Sequence, residues 1–165
     1  MAALSSDLAQ LLERELWGFE RELGLFPNQD GLWRTVPGVA NSAGNLVLHV
    51  TGNLQHFVGA VLGGTAYVRD RKTEFGRRSG TKDELVSDIR RAIQIVHDVL
   101  PALPDDRLND IYPKLPPGVP PMSTRLFLLH LSTHAAYHLG QVGYLRRTIT
   151  GENKVSGALA LESLV

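Results

Sequence analysis

Apolar residues recur at helical spacing in four separate stretches of the chain. In the first stretch, between Leu4 and Leu23, apolar residues fall at i, i+4, i+7 and i+8, and charged residues occupy the other side. This period is that of an amphipathic helix. We predict a first helix from Ser6 to Phe26, with Ser5 or Ser6 as its N-cap and Pro27 just beyond its end.

The second stretch is too apolar for an exposed helix and predicts a largely buried one. It runs from Ala43 to Leu62, with Asn41 or Ser42 as the N-cap and Gly63-Gly64 as the stop. Gly52 weakens the helix in the middle, which is tolerated where a neighbouring helix approaches closely.

The third and fourth helices carry clear end signals. Thr81 and Glu84 form a T-x-x-E capping box, and the apolar pattern that follows ends near Leu100. The fourth helix is predicted to start after Ser123 and to reach about Thr148, with Gly151 as the residue after its C-terminus. A proline-rich segment between these helices predicts a long loop, of the kind that often carries function.

Four helices without a convincing strand predict an all-α fold, a four-helix bundle with long loops between the helices. The loops fall between the first and second helices and, with many charged residues, between the second and third. At 165 residues the chain suits one domain, so we assign residues 1–165 to a single unit.

Composition removes several functional classes. The formal net charge is zero, which argues against nucleic acid and against an anionic membrane surface. No apolar run approaches the roughly 20 residues that a membrane helix needs, and the first residues do not resemble a signal peptide. A cytoplasmic protein is therefore expected. The chain has no cysteine, which excludes disulfides and thiolate metal ligands.

Three histidines at four-residue spacing lie in the fourth helix, within LFLLHLSTHAAYHLGQVGYLRR. Residues four apart share a helix face, and two such imidazoles can bind one metal ion. His130 and His138 are about 12 Å apart along the helix, so the pair must be His130 with His134 or His134 with His138. Gln141, three residues beyond His138, favours the second pair and makes His130 a core residue or a support for the ligands.

A third ligand can come from the second helix. His49 lies in an apolar run, where an unpaired imidazole is costly. Its partner is either a metal ion or a neighbouring polar side chain. Asn53 and His56 share its face, and we expect His56 at the rim of the site and His97, in the third helix, at the surface.

The loop after the second helix contains Arg69, Asp70, Arg71 and Glu74. One interpretation is an anion-binding lip at the mouth of the site, since arginine grips carboxylates in a bidentate manner. The other is a solvated loop with local salt bridges. The chain has no H-E-x-x-H motif, so a thermolysin-like peptidase is not expected.

Two segments resemble a known family. LVLHVTGNLQHFVGAVLGGTAYVRDRKTEF is similar to its H-x-x-G-N helix with the following arginine-rich turn, and HLSTHAAYHLGQVGYLRR is similar to its H-x-x-Y-H-x-G-Q helix. The chain resembles the DinB-like superfamily, bacterial metal-binding four-helix proteins related to the mycothiol- and bacillithiol-dependent transferases.

The resemblance implies an up-down-down-up bundle, a homodimer, and a divalent metal, zinc or nickel, held by His49, His134 and His138. It also implies a metal-dependent enzyme, such as one that transfers a low-molecular-weight thiol to a small-molecule substrate. The candidate residues for second contacts or for substrate are Asn53, Tyr137, Gln141, Arg69 and Arg71. The alternatives are a non-catalytic protein that the metal only stabilises and a stress-response interaction protein.

Overall fold

The computed structural model describes residues 3–157 and 160–164, and in that part of the chain the predicted all-α bundle is confirmed. Residues 1, 2, 158, 159 and 165 of the predicted single domain lie outside the described residues. The long helices are α1 (Leu4–Gly24), α3 (Ala43–Leu54, continued by a π-helical segment, Gln55–Leu62), α5 (Lys82–Val99) and α6 (Thr124–Thr150). Shorter helices are α2 (Gln29–Trp33) and α4 (Arg71–Gly76), with 3-10 turns at Asp105–Asn109 and Leu161–Leu164.

The start of α1 differs from the prediction. The N-cap is Ala3, whose carbonyl accepts hydrogen bonds from the backbone N–H groups of Ser6 and Asp7. The predicted cap at Ser5 or Ser6 is wrong because both residues lie inside the first turn. Ser5 is buried instead, and its hydroxyl donates to Asp105 Oδ1 at 3.5 Å.

Two of the predicted loops contain short helices. Asn28 Oδ1 accepts a hydrogen bond from the backbone of Gly31 and starts α2, and Asp70 Oδ1 accepts one from Thr73 and starts α4. Both are ordinary Asx N-caps. Helix α4 packs against α3, and this contact brings Glu74 into the interior, where only 4% of its surface is exposed.

The buried second helix is confirmed, with Ser42 as its N-cap and Leu62 as its last residue. From Gln55 onward its hydrogen bonding is π-helical, a widened form that is frequent near functional sites. Tyr112, from the proline-rich segment, donates a hydrogen bond of 2.6 Å to the carbonyl oxygen of Phe57 inside this stretch. The long loop is therefore fixed against the π-helical segment by a buried side chain.

Helix α1 packs on α5 and α6, and α3 packs on the same two helices. The core between them is mainly apolar, and it includes a buried ion pair that joins α1 to α6. Arg146 is fully buried, and its Nε lies 3.0 Å from Oε2 of Glu22. Arg146 also donates to the carbonyl oxygens of Glu152 and Lys154, and Ser156 donates to Glu22, so the residues after α6 fold back onto the bundle.

Among the described residues, no helix combines the length and the apolar character that crossing a membrane would require.

Candidate metal centre

Three histidine side chains meet between α3 and α6. Nε2 of His134 lies 3.1 Å from Nε2 of His49 and 3.1 Å from Nε2 of His138. One nitrogen from each of the three rings lies within 4.8 Å of the other two. His134 and His138 come together because they are one turn apart on α6, and the packing of α3 against α6 brings in His49.

The second ring nitrogen of His49 contacts a carboxylate from α4. Nδ1 of His49 lies 3.0 Å from Oε2 of Glu74, and Arg69 grips the same carboxylate with Nε at 2.6 Å and Nη2 at 2.8 Å. Burial by itself raises the pKa of Glu74, but hydrogen bonds from His49 and Arg69, with the charge of Arg69, outweigh burial and hold this pKa below its usual value. Glu74 is therefore an anionic acceptor.

These contacts assign the tautomer of His49. A carboxylate cannot donate, so Nδ1 of His49 carries the proton and donates it to Glu74. Nη2 of Arg69 also lies 3.2 Å from Nδ1, but it makes the shorter contact with Glu74. The lone pair of His49 is then on Nε2, the nitrogen that faces His134. A carboxylate behind a histidine is the usual orienting partner of a metal-binding imidazole.

Gly52 makes room for this carboxylate. A Cβ atom added at Gly52 would lie 2.6 Å from Oε1 of Glu74, closer than side chains pack. The sequence predicts a close approach at Gly52, and the structure shows that the neighbour is the side chain of Glu74 on the short helix α4.

His138 is oriented in the same way from the other side. Its Nδ1 lies 2.7 Å from Oε1 of Gln141, so Nδ1 donates and the lone pair is again on Nε2. His134 Nε2 can carry one proton at most, yet it faces the lone pairs of both His49 and His138. In the absence of a cation, at least one of these two short contacts joins two lone pairs.

The electrostatics favour neutral rings at this position. Burial, together with the positive charge of the neighbouring histidines and of Arg69, lowers the pKa of His134 to about 3. Burial also lowers the pKa of His138, although the hydrogen bond to Gln141 opposes that shift. Neutral imidazoles are the form that binds metal ions.

The other histidines have different surroundings. His130 is exposed, with its ring centroid 6.0 Å from that of Phe127 and 5.8 Å from that of His134, so a core position for His130 is wrong. It lies on the outer side of α6, beside the cluster. His97 is at the surface as predicted, where Nδ1 contacts Glu13 at 3.2 Å.

Polar residues near the cluster lie at varied depth. Asn53 is buried, and its Oδ1 has no hydrogen-bond partner among the described residues. Half-buried His56 likewise has an Nδ1 without a partner there. Tyr137 is 64% exposed, and its ring centroid lies 5.3 Å from that of His138. Arg71 is exposed, with its guanidinium carbon 5.1 Å from the ring centre of Phe75.

The segment from Arg69 to Glu74 was interpreted either as an anion-binding lip or as a loop with local salt bridges. In the structure, Arg69 and Glu74 form a local ion pair. The role of Glu74 as the partner of His49 was missed. A signal was present, because Asp70 followed by Thr73 is an N-cap pattern that turns the segment into a helix. Gly52, on the helix of His49, marked the place where that helix packs.

The described fold is an all-α bundle with a three-histidine cluster between two of its long helices. The sequence model of the DinB superfamily matches residues 11–142, and the chain belongs to this superfamily. Among solved structures, a conserved protein from Enterococcus faecalis is similar, with a TM-score of 0.73 and 17% sequence identity over 92% of this chain and 100% of that one. This likeness concerns the fold alone. No curated protein matches the chain.

Proposed function

We propose that His49, His134 and His138 bind a divalent metal ion, zinc or nickel, and that the protein is a metal-dependent enzyme. The observation that carries this proposal is the arrangement of ring nitrogens. Glu74 and Gln141 hold two imidazoles with their lone pairs toward a third Nε2 at 3.1 Å. A cation among the three nitrogens turns this repulsion into coordination.

The donor set suits the metals named. Imidazole nitrogen is a good ligand for zinc and nickel, and three protein ligands leave a position open for water or substrate, as in reactive zinc sites. A metal ion so placed lowers the pKa of a bound thiol or water and supplies a nucleophile near neutral pH. The membership in the DinB superfamily, with its relation to thiol-dependent transferases, favours transfer of a low-molecular-weight thiol to an electrophile.

The residues around the cluster then have separate tasks. Glu74 and Gln141 orient His49 and His138 through their Nδ1 protons. Asn53 brings an amide oxygen without a partner in the described structure, which suits a hydrogen bond to a bound molecule. Arg69 and Arg71 place positive charge beside the cluster and favour an anionic thiol or substrate.

A purely structural role for the metal is the second candidate function, because the three histidines lie on two different helices. His49 lies on α3, and the other two histidines lie on α6, so a metal ion also cross-links these helices and could serve stability alone. Incubating metal-loaded protein with low-molecular-weight thiols and a panel of small electrophiles separates the two functions. Conjugation that depends on the metal supports the enzyme, and its absence across the panel supports the structural role.

Metal content tests the site itself. We expect purified protein to bind about one divalent ion per chain and His134→Ala to bind none, because His134 is the ligand that contacts both others. Elemental analysis after dialysis against zinc or nickel measures this. His97→Ala, a surface histidine on α5, is the matched control and should bind like the unaltered protein. Equal metal content in the His134 variant would exclude the site.

A further inference from the structure

A groove of about 390 Å³ lies beside the histidine cluster, between α6 and the segment that joins α2 to α3. Its apolar lining consists of Val36, Val39, Ala40, Leu46, Tyr144 and Leu145. Tyr144 is 72% exposed and Val39 is 40% exposed, so the groove opens to solvent along one side. Its volume is that of an ordinary small-molecule site.

The groove is uncharged. Its polar lining residues are Asn41, Gln141 and Thr148, and no charged side chain is among the described residues that line it. From Leu126 to Leu145, α6 contains no Asp, Glu, Lys or Arg. Arg147 lies against the ring of Tyr144, with its guanidinium carbon 5.4 Å from the ring centre, but it does not line the groove. A charged ligand buried there would lose its hydration without gaining a partner.

Gln141 connects the groove to the histidine cluster. Its Oε1 accepts the hydrogen bond from Nδ1 of His138 at 2.7 Å, and the same side chain lines the groove. With the carbonyl oxygen engaged, the amide N–H₂ group is the donor that remains for a bound molecule. A ligand in the groove is therefore separated from a metal-binding histidine by a single side chain.

We propose that this groove binds an uncharged, largely apolar small molecule that presents a hydrogen-bond acceptor to Gln141. Its use as a substrate site rests on the proposed metal-dependent function, but binding in the groove needs no metal. The chain of contacts runs from Arg69 through Glu74, His49 and His134 to His138 and Gln141. At one end the charge of Arg69 is balanced by Glu74, and at the other end the uncharged groove suits a neutral molecule.

Two small molecules of similar shape, one neutral and one charged, test whether the groove prefers an uncharged ligand. We would titrate metal-free, ¹⁵N-labelled protein with 2-naphthol, which is neutral at pH 7, and separately with 2-naphthoate, which has a similar shape and one negative charge. We expect 2-naphthol to shift the backbone amide signals of residues 36, 38–41, 46 and 141–148 in a saturable way. 2-Naphthoate should bind at least about tenfold more weakly, because its charge finds no partner there. No saturable shifts at these residues, or equal binding of both probes, would overturn the proposal.

Substitutions then locate the site. Val39→Asp puts a carboxylate into the groove at a partly exposed position and should weaken 2-naphthol binding by about tenfold or more. Ile111→Asp is the control, because Ile111 is 62% exposed and does not line the groove. If the Val39 variant does not fold, Thr148→Asp puts a carboxylate at the exposed edge of the same groove and should also weaken 2-naphthol binding. Unchanged binding in the folded variants would contradict the proposal, whereas metal content, measured separately, reports only on the metal site.

Discussion

At the scale of single residues, the side chains behind the ligands explain the geometry of the histidine cluster. Glu74 fixes the ring of His49, and Gln141 fixes the ring of His138, each through the nitrogen that faces away from the cluster. Such partners set the tautomer and raise the basicity of a metal-binding histidine. These two contacts thus place the lone pairs of His49 and His138 toward His134, as the proposed metal site requires.

The Glu74 carboxylate is expected to strengthen metal binding. Glu74→Gln keeps the shape of the side chain but removes the negative charge of the group that accepts the hydrogen bond from His49. It should weaken the affinity for zinc by about 10- to 100-fold. Competition against a zinc-binding dye measures the dissociation constant. Glu84→Gln is a matched control, because Glu84 also pairs with an arginine but belongs to the capping box of α5 and does not contact His49. An unchanged affinity in the Glu74 variant would show that this carboxylate does not act on the site.

The depressed pKa of His134 predicts how stability changes with pH. This pKa is about 3 in the folded protein and about 6.5 in an unfolded chain. Between these values the unfolded chain binds a proton that the folded chain does not. For metal-free protein, His134 should therefore not reduce the free energy of unfolding above about pH 6.5. As the pH is lowered from 6.5 toward 3, the free energy of unfolding should fall.

Urea unfolding in the presence of a chelator, at pH 7 and pH 5, measures this loss. His134→Gln, which cannot take up the proton, should lose less stability over the same interval. Parallel losses in the two proteins would assign the acid sensitivity to other groups.

At the scale of helices, the sequence predicted the long elements well and the short ones poorly. The apolar periods of α3 and α6 are long, and Ser42 and Gly151 mark an end of each, so local chemistry settles them. Helices α2 and α4 have five and six residues, too few for an apolar period to be visible. Their existence depends on a single cap and on packing that the sequence does not display.

In the candidate site, too, helical spacing in the sequence predicted contacts within one helix but not contacts between helices. The spacing of His134 and His138, with Gln141 behind them, indicated the two α6 histidines that lie together beside His49, because helical geometry places them on one face. The contact between His49 and Glu74 joins residues from different helices, 25 positions apart, and no local rule gives it. The exposure of His130 was also missed, because an apolar sequence around a residue does not say which side of the helix faces solvent.

Gly52 and Gly140 provide a test of helix packing. Both lie inside long helices, but a Cβ at Gly52 would collide with Glu74, whereas no described atom lies within 4 Å of a Cβ at Gly140. Gly52→Ala should destabilise the protein by about 1–3 kcal/mol through overpacking, and it should weaken metal binding by moving Glu74. Gly140→Ala should stabilise it by about 0.5–1 kcal/mol through helix propensity. Chemical denaturation of both variants measures the difference, and effects of the same sign would contradict this account of α3 and α4.

At the scale of the whole molecule, the buried pair of Arg146 and Glu22 joins α1 to α6. Arg146→Met should cost about 3–5 kcal/mol, because it leaves Glu22 as an uncompensated buried charge. Glu22→Leu combined with Arg146→Met should recover much of that loss, since both charges are then gone. Urea unfolding of the single and double variants measures the coupling. Equal stability of the two variants would show that the stranded charge is not the cause.

The position of this pair also matters for how the chain is made. Glu22 is translated 124 residues before its partner Arg146, and the carbonyl group of Glu152 that also holds Arg146 follows later still. Helix α1 packs on α5 and α6, so it lacks its main contact surfaces until both of those helices have emerged from the ribosome. A nascent chain of this protein must therefore keep part of the apolar face of α1 uncovered until α6 has been translated.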